Sequence, residues 1–284
     1  MTYHKDITAV ASDRFPISIR KDDRIVSLGS CFSSEIGDRL AEDGYHILNN
    51  PFGVLYNPAS IANSIHRLAN AVPFTSADVI LRDTNPAYGK PPGITDPAHR
   101  PIAPQGGGYV SFYHHGSFAR KSPEEFLAIA NSSLAAASQT FKAAGWILVT
   151  FGTAWTYRHL EQDIIVSNCH KHPAREFRRE LLTVDDINHI WNRIPETFPD
   201  KRFILTLSPI RHKKDGMHGN QISKATLLLS IEHLVRTFPN VMYFPAYEII
   251  LDELRDYSWY ASDLVHPSPE AVDTVWQRFR TAAL

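Results

Sequence analysis

The chain has 284 residues, 29 Lys and Arg against 30 Asp and Glu, and a formal net charge of -1, which argues against a nucleic-acid-binding protein because such proteins carry a basic surplus. No apolar run approaches the ~20 residues that span a bilayer, and the first residues lack the basic-then-apolar pattern of a signal peptide. Two cysteines are too few for a disulfide framework, so we expect a cytoplasmic protein with reduced thiols and no transmembrane segment.

The first predicted elements form a β-α-β unit, the start of a parallel sheet. Residues 24–29 predict a strand because they are a short β-branched run closed by glycine. Residues 33–43 predict a helix with one apolar face, which ends at a glycine. A second strand is expected at 45–48 and a second helix at 60–68.

The remaining elements continue the alternation of helices and strands. Two segments interrupt it, a Pro- and Gly-rich insertion near residues 71–120 and a second insertion near residues 155–180, where a hairpin is expected around Asp163. Outside them, helices are predicted at 123–144, 183–194, 221–237 and 269–282, and strands at 146–151, 202–207 and 241–244. We therefore expect one α/β domain over residues 1–284, a three-layer α/β/α sandwich whose parallel sheet has about five strands.

The turn after the first strand, Gly29-Ser30-Cys31, is the first candidate site. In open α/β sheets ligands bind beyond the carboxyl ends of the strands, and this turn also precedes a predicted helix. Backbone N–H groups at a helix N-terminus stabilise negative charge and favour a thiolate, which would make Cys31 a nucleophile. The alternative is a tight turn that packs a helix onto a strand, with Cys31 as a small buried hydrophobic residue.

A second candidate site lies just before the final predicted helix. Asp263 and His266 are three residues apart, a spacing at which the carboxylate can hold the imidazole Nδ1–H while Nε2 faces a nucleophile. Pro267 would start the helix and hold His266 rigidly before it. By itself, an Asp-x-x-His is equally consistent with an exposed capping aspartate beside an ordinary histidine.

These two sites together resemble the arrangement of the SGNH, or GDSL-type, hydrolases, and the run VSLGSCFSSEIGDRL is similar to the signature of the GSCFA family within that group. Further blocks that are similar to this family fall in the expected order: NPFGVLYNP (50–58), FGTAW (151–155), NCHK (168–171), SPIRH (208–212) and YASDLVHPS (260–268). The resemblance covers residues from about 24 to about 280. It implies an SGNH-like, flavodoxin-like form of the sandwich.

The resemblance implies a catalytic triad. Cys31 fills the slot of the nucleophilic serine of SGNH enzymes, Ser30 fills that of the preceding aspartate, and Asp263 and His266 match the catalytic Asp-x-x-His. A thiol beside an imidazole and a helix N-terminus is a good nucleophile at neutral pH, which favours Cys31. The alternative, in which Ser30 is the nucleophile and Cys31 packs, stays open.

The resemblance also implies an oxyanion hole. Gly53 corresponds to the glycine whose N–H helps to bind the oxyanion in SGNH enzymes. Their third block is Gly-x-Asn-Asp, whereas this chain has Gly-Thr153-Ala-Trp155, so the usual donor amide is missing. Candidate substitutes are Asn57, Asn168 and the Trp155 indole N–H, because losing one oxyanion donor costs about 3–4 kcal/mol. Thr153 belongs to the same set by its place in the block.

The segment that starts at Asn168 is the first of two candidate substrate-binding segments. His170 and Lys171 would contact the substrate in the crevice, or they would be exposed while Cys169 packs. A redox pair between Cys31 and Cys169 is a further alternative, which would silence the nucleophile.

Arg211 and His212 follow a predicted strand and form the second such segment. Arg211 suggests an anionic group on the substrate, and the alternative is a structural arginine paired with Glu248 or another acid. The cysteines and His212 would suit zinc, but paired ligand motifs are missing, so we predict no metal site.

The function implied by the resemblance is an acyl-ester hydrolase or O-acyltransferase that forms a covalent acyl-enzyme. Its substrate would be an acylated carbohydrate, lipid or small molecule, and no cofactor would be needed. The alternative is a catalytically inactive SGNH-like protein that binds a glycan or an acylated ligand.

Overall fold

A five-stranded parallel sheet forms the centre of the molecule in a computed structural model that describes residues 8–82 and 108–284. The described strands are β1 (Arg24–Gly29), β2 (His46–Asn49), β3 (Ile80–Leu81), β4 (Tyr109–Val110), β5 (Trp146–Phe151), β6 (Trp155–His159), β7 (Ile164–Val166), β8 (Phe177–Leu181), β9 (Arg202–Leu207) and β10 (Val241–Phe244). The large sheet has the order β10-β9-β5-β1-β2, and all its neighbouring strands pair in parallel. The middle of the predicted first insertion, residues 83–107, lies outside the described residues.

Helices cover both faces of this sheet. They are α1 (Cys31–Glu42), α2 (Pro58–Asn70), α3 (Pro123–Ala143), α4 (Val184–Trp191), α5 (Arg193–Thr197), α6 (Gly216–Thr237), α7 (Ala246–Glu248) and α8 (Pro269–Ala283). The fully buried strand β5 shows the layering, because alternate side chains of a strand point to opposite faces. Ile147 and Val149 belong to the core that contains α2, α3, α4 and α6, whereas Trp146 and Leu148 belong to the core with α1 and α8. The predicted α/β/α sandwich is therefore confirmed.

Some predicted helix boundaries are wrong. The first helix begins at Cys31 instead of residue 33, and the long helix α6 begins at Gly216 instead of residue 221. The final helix begins at Pro269, where the predicted range 269–282 starts, and not at Pro267, because the hydroxyl of Ser268 accepts a hydrogen bond from the N–H of Ala271 (3.2 Å) and caps the helix. None of the described helices is long and apolar enough to cross a membrane.

A small antiparallel sheet, in the order β7-β6-β8, fills the predicted second insertion. The expected hairpin is β6-β7, with Asp163 in the left-handed region at its turn (φ 50°). Strand β8 was not predicted, because its sequence FRREL places exposed arginines among the apolar residues. This sheet matters for function because one wall of the main cavity comes from it.

Candidate active site

A cavity of about 450 Å³ lies beyond the carboxyl ends of β1, β5 and β9, where the strand-end rule places ligands. The small antiparallel sheet and the loop before α8 close its sides. Ten of the residues singled out from the sequence line it: Ser30, Cys31, Asn57, Thr153, Trp155, Asn168, Cys169, Arg211, His212 and His266. Residues from six separated segments of the chain therefore converge on one cavity.

The turn that carries Cys31 is held against the sheet by its neighbours. Gly29 lies so close to β5 that a Cβ on it would be 2.4 Å from the carbonyl oxygen of Thr150, which only glycine avoids. The N–H of Gly29 donates to Oδ1 of Asn50 (2.8 Å), and Nδ2 of Asn50 donates to the hydroxyl of Ser34 in α1 (2.8 Å). Asn50 thus joins the end of β1 to the first turn of α1, and Cys31 is fixed between them.

Cys31 is half-buried at the first position of α1, where its N–H has no acceptor among the described residues. Its Sγ lies 3.8 Å from the hydroxyl of Tyr56. Burial, together with the neighbouring Cys31, raises the pKa of Tyr56, so the phenol stays protonated and can donate to the sulfur. Tyr56 was missed as a site residue, although it lies in the same sequence block as Gly53 and Asn57.

Asp263 and His266 form the contact that their spacing predicts. Oδ2 of Asp263 accepts a hydrogen bond from Nδ1 of His266 (2.6 Å), and Oδ1 accepts from the N–H groups of Val265 (2.8 Å) and His266 (3.0 Å). Partial burial would raise the pKa of Asp263, but these hydrogen bonds outweigh it and lower the pKa to about 2. The carboxylate is therefore ionised, and it leaves Nε2 of His266 for another partner.

The side chain of Cys31 has the largest effect on the pKa of His266. Through hydrogen bonding to the imidazole, and together with Asp263, it raises that pKa to about 9 against the opposing effect of burial. Asp263 and Cys31 thus both act on His266, and His266 and Cys31 both line the cavity. A carboxylate, an imidazole and a thiol are the groups that nucleophilic catalysis uses.

Two side-chain groups of residues that line the cavity with Cys31 are hydrogen-bond donors with no described acceptor. Nε1 of Trp155 is buried without a partner, and the Arg179 guanidinium lies 3.9 Å over the ring and holds it. Asn57 caps α2 by accepting from the N–H of Ser60 (2.8 Å) through Oδ1, so its Nδ2 is the end of the amide that is left for the cavity.

The N–H groups of Gly53 and Thr153, by contrast, already have acceptors. The N–H of Gly53 donates to the carbonyl of Asn50 (2.7 Å) within a turn, and Gly53 is not among the residues that line the cavity. The N–H of Thr153 donates to the carbonyl of Tyr56 (3.0 Å), and its hydroxyl is bonded to that of Ser223 (3.1 Å). Contrary to the expectation, neither N–H is free to bind an oxyanion.

The segment after Asn168 turns away from the cavity. His170 is 2% exposed, its Nε2 is bonded to the carbonyl of Ser111 (2.8 Å), and burial lowers its pKa to about 4. Lys171 is exposed, and neither residue lines the cavity. The structure therefore does not bring His170 and Lys171 to the cavity, and both residues have left-handed backbone conformations (φ 48° and 64°).

Arg211 lies against two tyrosine rings and forms no ion pair with a described carboxylate. Its guanidinium is 4.0 Å from the ring centre of Tyr260 and 5.1 Å from that of Tyr257. Burial alone would lower the pKa of Arg211, but hydrogen bonds with both tyrosines raise it. Glu248, the expected alternative partner, instead accepts from the hydroxyl of Tyr243 (2.7 Å). The pairing of Arg211 with Glu248 is therefore not present.

His212 is held neutral. Burial, and then the positive charges of Lys224 and His266, lower its pKa to about 4. Its ring packs edge-on against that of Tyr56, with ring centres 6.2 Å apart. His212 can therefore accept or donate a hydrogen bond in the cavity without adding a charge.

Lys224 is a buried cation behind this wall that sequence reasoning missed. Its Nζ donates to the carbonyls of Gly152 (2.8 Å) and Ser208 (2.6 Å), and so joins the residues that follow β5 and β9. Burial lowers its pKa to about 7. Its spacing of three and seven residues from the buried Leu227 and Ile231 was the available signal, since it places Lys224 on the apolar face of α6.

Comparison with known proteins places the chain in a family. The sequence model of the GSCFA family matches residues 24–279, which is most of the chain. The chain belongs to the GSCFA family. No curated protein matches this GSCFA chain. A solved structure of a Streptococcus pneumonia protein, which carries the provisional description of a platelet activating factor, matches with 12% identity over 93% of this chain and 85% of its own, at a TM-score of 0.39.

Proposed function

We propose that this GSCFA protein is an acyl-ester hydrolase or O-acyltransferase in which Cys31 is the nucleophile, His266 the general base and Asp263 the orienting acid. The observation that carries the proposal is the hydrogen bond between Asp263 and His266 (2.6 Å), at a cavity that His266 lines together with Cys31 at the N-terminus of α1. The raised pKa of His266, with Cys31 as its largest cause, supports it. The chemistry requires no cofactor, because nucleophile, base and oxyanion donors are all protein groups.

In the first half of the reaction Nε2 of His266 takes the thiol proton, and the Cys31 sulfur forms a bond to the acyl carbonyl carbon. The carbonyl electron pair moves to oxygen, where N–H donors stabilise it. We assign this role to the N–H of Cys31, the indole N–H of Trp155 and Nδ2 of Asn57. Collapse of the intermediate breaks the ester C–O bond, and the departing alcohol takes the proton from His266.

In the second half of the reaction His266 removes a proton from water or from an acceptor hydroxyl, whose oxygen attacks the thioester. The C–S bond then breaks and the Cys31 sulfur regains its proton from His266. A thioester suits transfer to an acceptor other than water as well as hydrolysis, so both outcomes belong to the proposal. Substrates of the proposed class are acylated carbohydrates, lipids or small molecules.

The surroundings of Ser30 support Cys31 as the nucleophile. Ser30 is 1% exposed, precedes α1, and its hydroxyl has no hydrogen-bond partner among the described residues. It does not contribute to the shifted pKa of His266, whereas Cys31 is the largest contributor. We therefore assign Ser30 a place in the turn and the chemistry to Cys31.

We also propose that residues 1–284 form one SGNH-like domain. Support comes from the triad itself, since Cys31 follows the first strand of the large sheet and His266 precedes the last helix. The two cavity cysteines are both unpaired, which suits a reducing compartment such as the cytoplasm.

Hydrolysis of para-nitrophenyl acetate tests the proposal. We expect the wild type to turn the ester over and to accumulate an acetyl group on Cys31, detectable by mass spectrometry of the quenched enzyme. Cys31→Ala should abolish both, and Ser30→Ala should retain both. Loss of activity in Ser30→Ala with retention in Cys31→Ala would contradict the assignment, as would an acetyl group on another residue.

A further inference from the structure

A second cavity, of about 200 Å³, adjoins the cavity of Cys31, and Arg211 lines both. One of its walls is a face of the first turns of α6, from which Asn220, Gln221 and Lys224 line it at helical spacing. Another wall comes from the segment between β10 and α8 and contains three tyrosines: Tyr247, Tyr257 and Tyr260. No carboxylate is among the described residues that line this second cavity.

The guanidinium of Arg211 lies at the second cavity. It is 4.0 Å from the ring centre of Tyr260 and 5.1 Å from that of Tyr257, and both rings line the second cavity and not the cavity of Cys31. Among the described residues no acid contributes to its pKa. Two neutral rings therefore hold this cation in place and leave its charge for a ligand.

Lys224 is the second cation of the second cavity. It is 1% exposed, and its Nζ donates to the carbonyls of Gly152 and Ser208, which occupies two of the three N–H groups of the ammonium. The same Nζ lies 5.8 Å from the ring centre of Tyr247. Two carbonyls do not cancel a buried positive charge, so an anion in this cavity would stabilise Lys224.

The two side-chain amides of this face of α6 add donors. Asn220 is 5% exposed, and its Oδ1 accepts from the N–H of His212 (3.0 Å), which leaves its NH₂ group without an acceptor among the described residues. Oε1 of Gln221 accepts from the hydroxyl of Tyr247 (2.7 Å), which leaves the NH₂ group of Gln221 in the same position. The second cavity therefore offers two cations and two amide donors, a set that complements a ligand with negative charge and several acceptor oxygens.

We propose that the second cavity binds a small tetrahedral oxyanion of the phosphate or sulfate class, held by Arg211, Lys224 and the side-chain amides of Asn220 and Gln221. Donors on four side chains suit the four oxygens of such an ion, and a guanidinium can bind two of them at once. The cavity also lies at the positive end of the α6 dipole, which favours an anion. None of these groups belongs to the proposed triad, so the site stands independently of the proposed function.

Two acids lie near the second cavity without lining it. Glu248 and Asp252 both act electrostatically on Tyr247. Glu248 is already bound to the hydroxyl of Tyr243 (2.7 Å), and neither acid contributes to the pKa of Arg211 or Lys224. The two cations of the cavity therefore keep their charge for a ligand.

Calorimetric titration with sulfate tests the proposal. The titration is done in bis-Tris, a cationic buffer, at about pH 6, because burial lowers the pKa of Lys224 to about 7 and the ammonium is protonated below it. We expect one sulfate to bind per chain, with an affinity that falls as sodium chloride is added. The absence of saturable binding would overturn the proposal.

Variants then locate the site. Asn220→Asp keeps the acceptor for the N–H of His212 but replaces the NH₂ group by a negative oxygen, so it should weaken sulfate binding at least about tenfold, as should Arg211→Met. Lys214→Met is the matched control, because Lys214 lies on the same segment as Arg211, lines only the cavity of Cys31 and donates to the hydroxyl of Tyr157 (2.9 Å). It should change the affinity by less than about twofold.

Thermal melts without sulfate check that each variant is folded, and Asn220→Asp preserves the fold-supporting hydrogen bond if Arg211→Met does not fold. Unchanged affinity in Asn220→Asp, or an equal loss in Lys214→Met, would overturn the proposal.

Two further ligands distinguish a free ion from the phosphate group of a larger molecule. If the natural ligand is a free ion, inorganic phosphate should bind at least about tenfold more tightly than phenyl phosphate, because a cavity of about 200 Å³ holds little more than the ion. If it is a larger molecule, phenyl phosphate should bind at least as tightly as inorganic phosphate. Either result requires the anion in the second cavity, so sulfate should leave the rate at which iodoacetamide labels Cys31 unchanged. Full protection of Cys31 by sulfate would place the anion in the other cavity and overturn the proposal.

Discussion

Two walls of the same cavity each carry a cysteine with a histidine nearby, and they have opposite properties. On one wall, Cys31 interacts with His266, whose pKa is raised to about 9. On the other, Cys169 has a pKa raised to about 11 by burial, and the adjacent His170 has one lowered to about 4, also by burial. Both cysteines line the cavity and both are unpaired.

The difference comes from what the two ring nitrogens of each histidine contact. His266 stands in a half-buried loop, where a carboxylate holds Nδ1 and leaves Nε2 for the thiol. His170 uses Nε2 on the carbonyl of Ser111 inside an aromatic cluster, and its Nδ1 has no described partner. A cysteine next to a histidine in the sequence therefore indicates little about the reactivity of the thiol. The two walls differ because one imidazole has a carboxylate at hydrogen-bond distance and the other does not.

Removal of each sulfur in turn tests whether the two cysteines differ in this way, and it should give the largest effect. Cys31→Ala should lower kcat/KM for para-nitrophenyl acetate by roughly 10⁵-fold, because the nucleophile is lost. Cys169→Ala should change it by less than about threefold, since a thiol kept protonated by burial contributes nothing to acyl transfer. Equal losses in the two variants would mean that the walls do not differ in the way we describe.

The carboxylate of Asp263 provides the next largest effect. Asp263→Asn keeps the shape of the side chain but lets the imidazole adopt the wrong tautomer, so kcat should fall by roughly 10³–10⁴-fold. The same change should lower the pKa of His266, which proton NMR of the imidazole can follow. A variant with nearly normal kcat would show that Asp263 is only a capping residue.

The third prediction concerns Trp155, the proposed oxyanion donor. Trp155→Phe keeps an aromatic ring under Arg179 but removes the buried indole N–H, and kcat should fall by roughly 10²-fold with a small change in KM. Tyr157→Phe, on the same strand, is the matched control and should lose far less. Equal effects of the two changes would argue against Trp155 as an oxyanion donor.

The smallest expected effect is on the free energy of unfolding. The contributions of His170 and His266 to it should change with pH in opposite directions. The folded pKa of His170, about 4, is below the ordinary 6.5, so the unfolded chain binds more protons between these values. Its contribution to the free energy of unfolding falls as the pH drops from about 6.5 to 4. The folded pKa of His266, about 9, is above 6.5, so its contribution is complete below pH 6.5 and is lost as the pH rises to about 9.

Thermal melts of two variants measure these signs. The difference in Tm between wild type and His170→Gln should shrink toward acid pH, and that between wild type and His266→Gln should shrink toward alkaline pH. His170→Gln should also lower the free energy of unfolding by about 1–3 kcal/mol near neutral pH, since the carbonyl of Ser111 loses one of its two donors and keeps only the N–H of His114 (3.1 Å). Two differences that move in the same direction with pH would contradict the assigned environments.

Most of the large sheet could be predicted from the sequence, because local patterns decide it. The run that forms β5 is apolar except for Thr150 and is followed by a glycine, so its burial on both faces follows from its composition. Strand β8 could not be predicted in the same way, since three of its five residues are charged: Arg178 pairs with Glu180 of the same strand, and Arg179 pairs with the distant Asp215. Strand β8 forms by pairing with β6, and the sequence of β8 alone does not predict this pairing.

The site was predictable where a motif sits at the end of a strand, as for Cys31, and unpredictable where distant contacts decide. The burial of His170 depends on Ser111, 59 residues away along the chain. The position of Tyr56 beside Cys31 depends on how the segment after β2 folds back over the cavity, where its carbonyl accepts from the N–H of Gly152 (2.8 Å). Neither contact has a local sequence signal.

The most direct test of the account measures the rates at which iodoacetamide labels the two cysteines of the wild-type protein near neutral pH. We predict that Cys31 is labelled at least about tenfold faster than Cys169, and that His266→Ala removes most of the advantage while leaving Cys169 unchanged. Equal and slow labelling of both thiols, or a Cys31 rate that His266→Ala does not alter, would contradict a catalytic pair at Cys31 and His266.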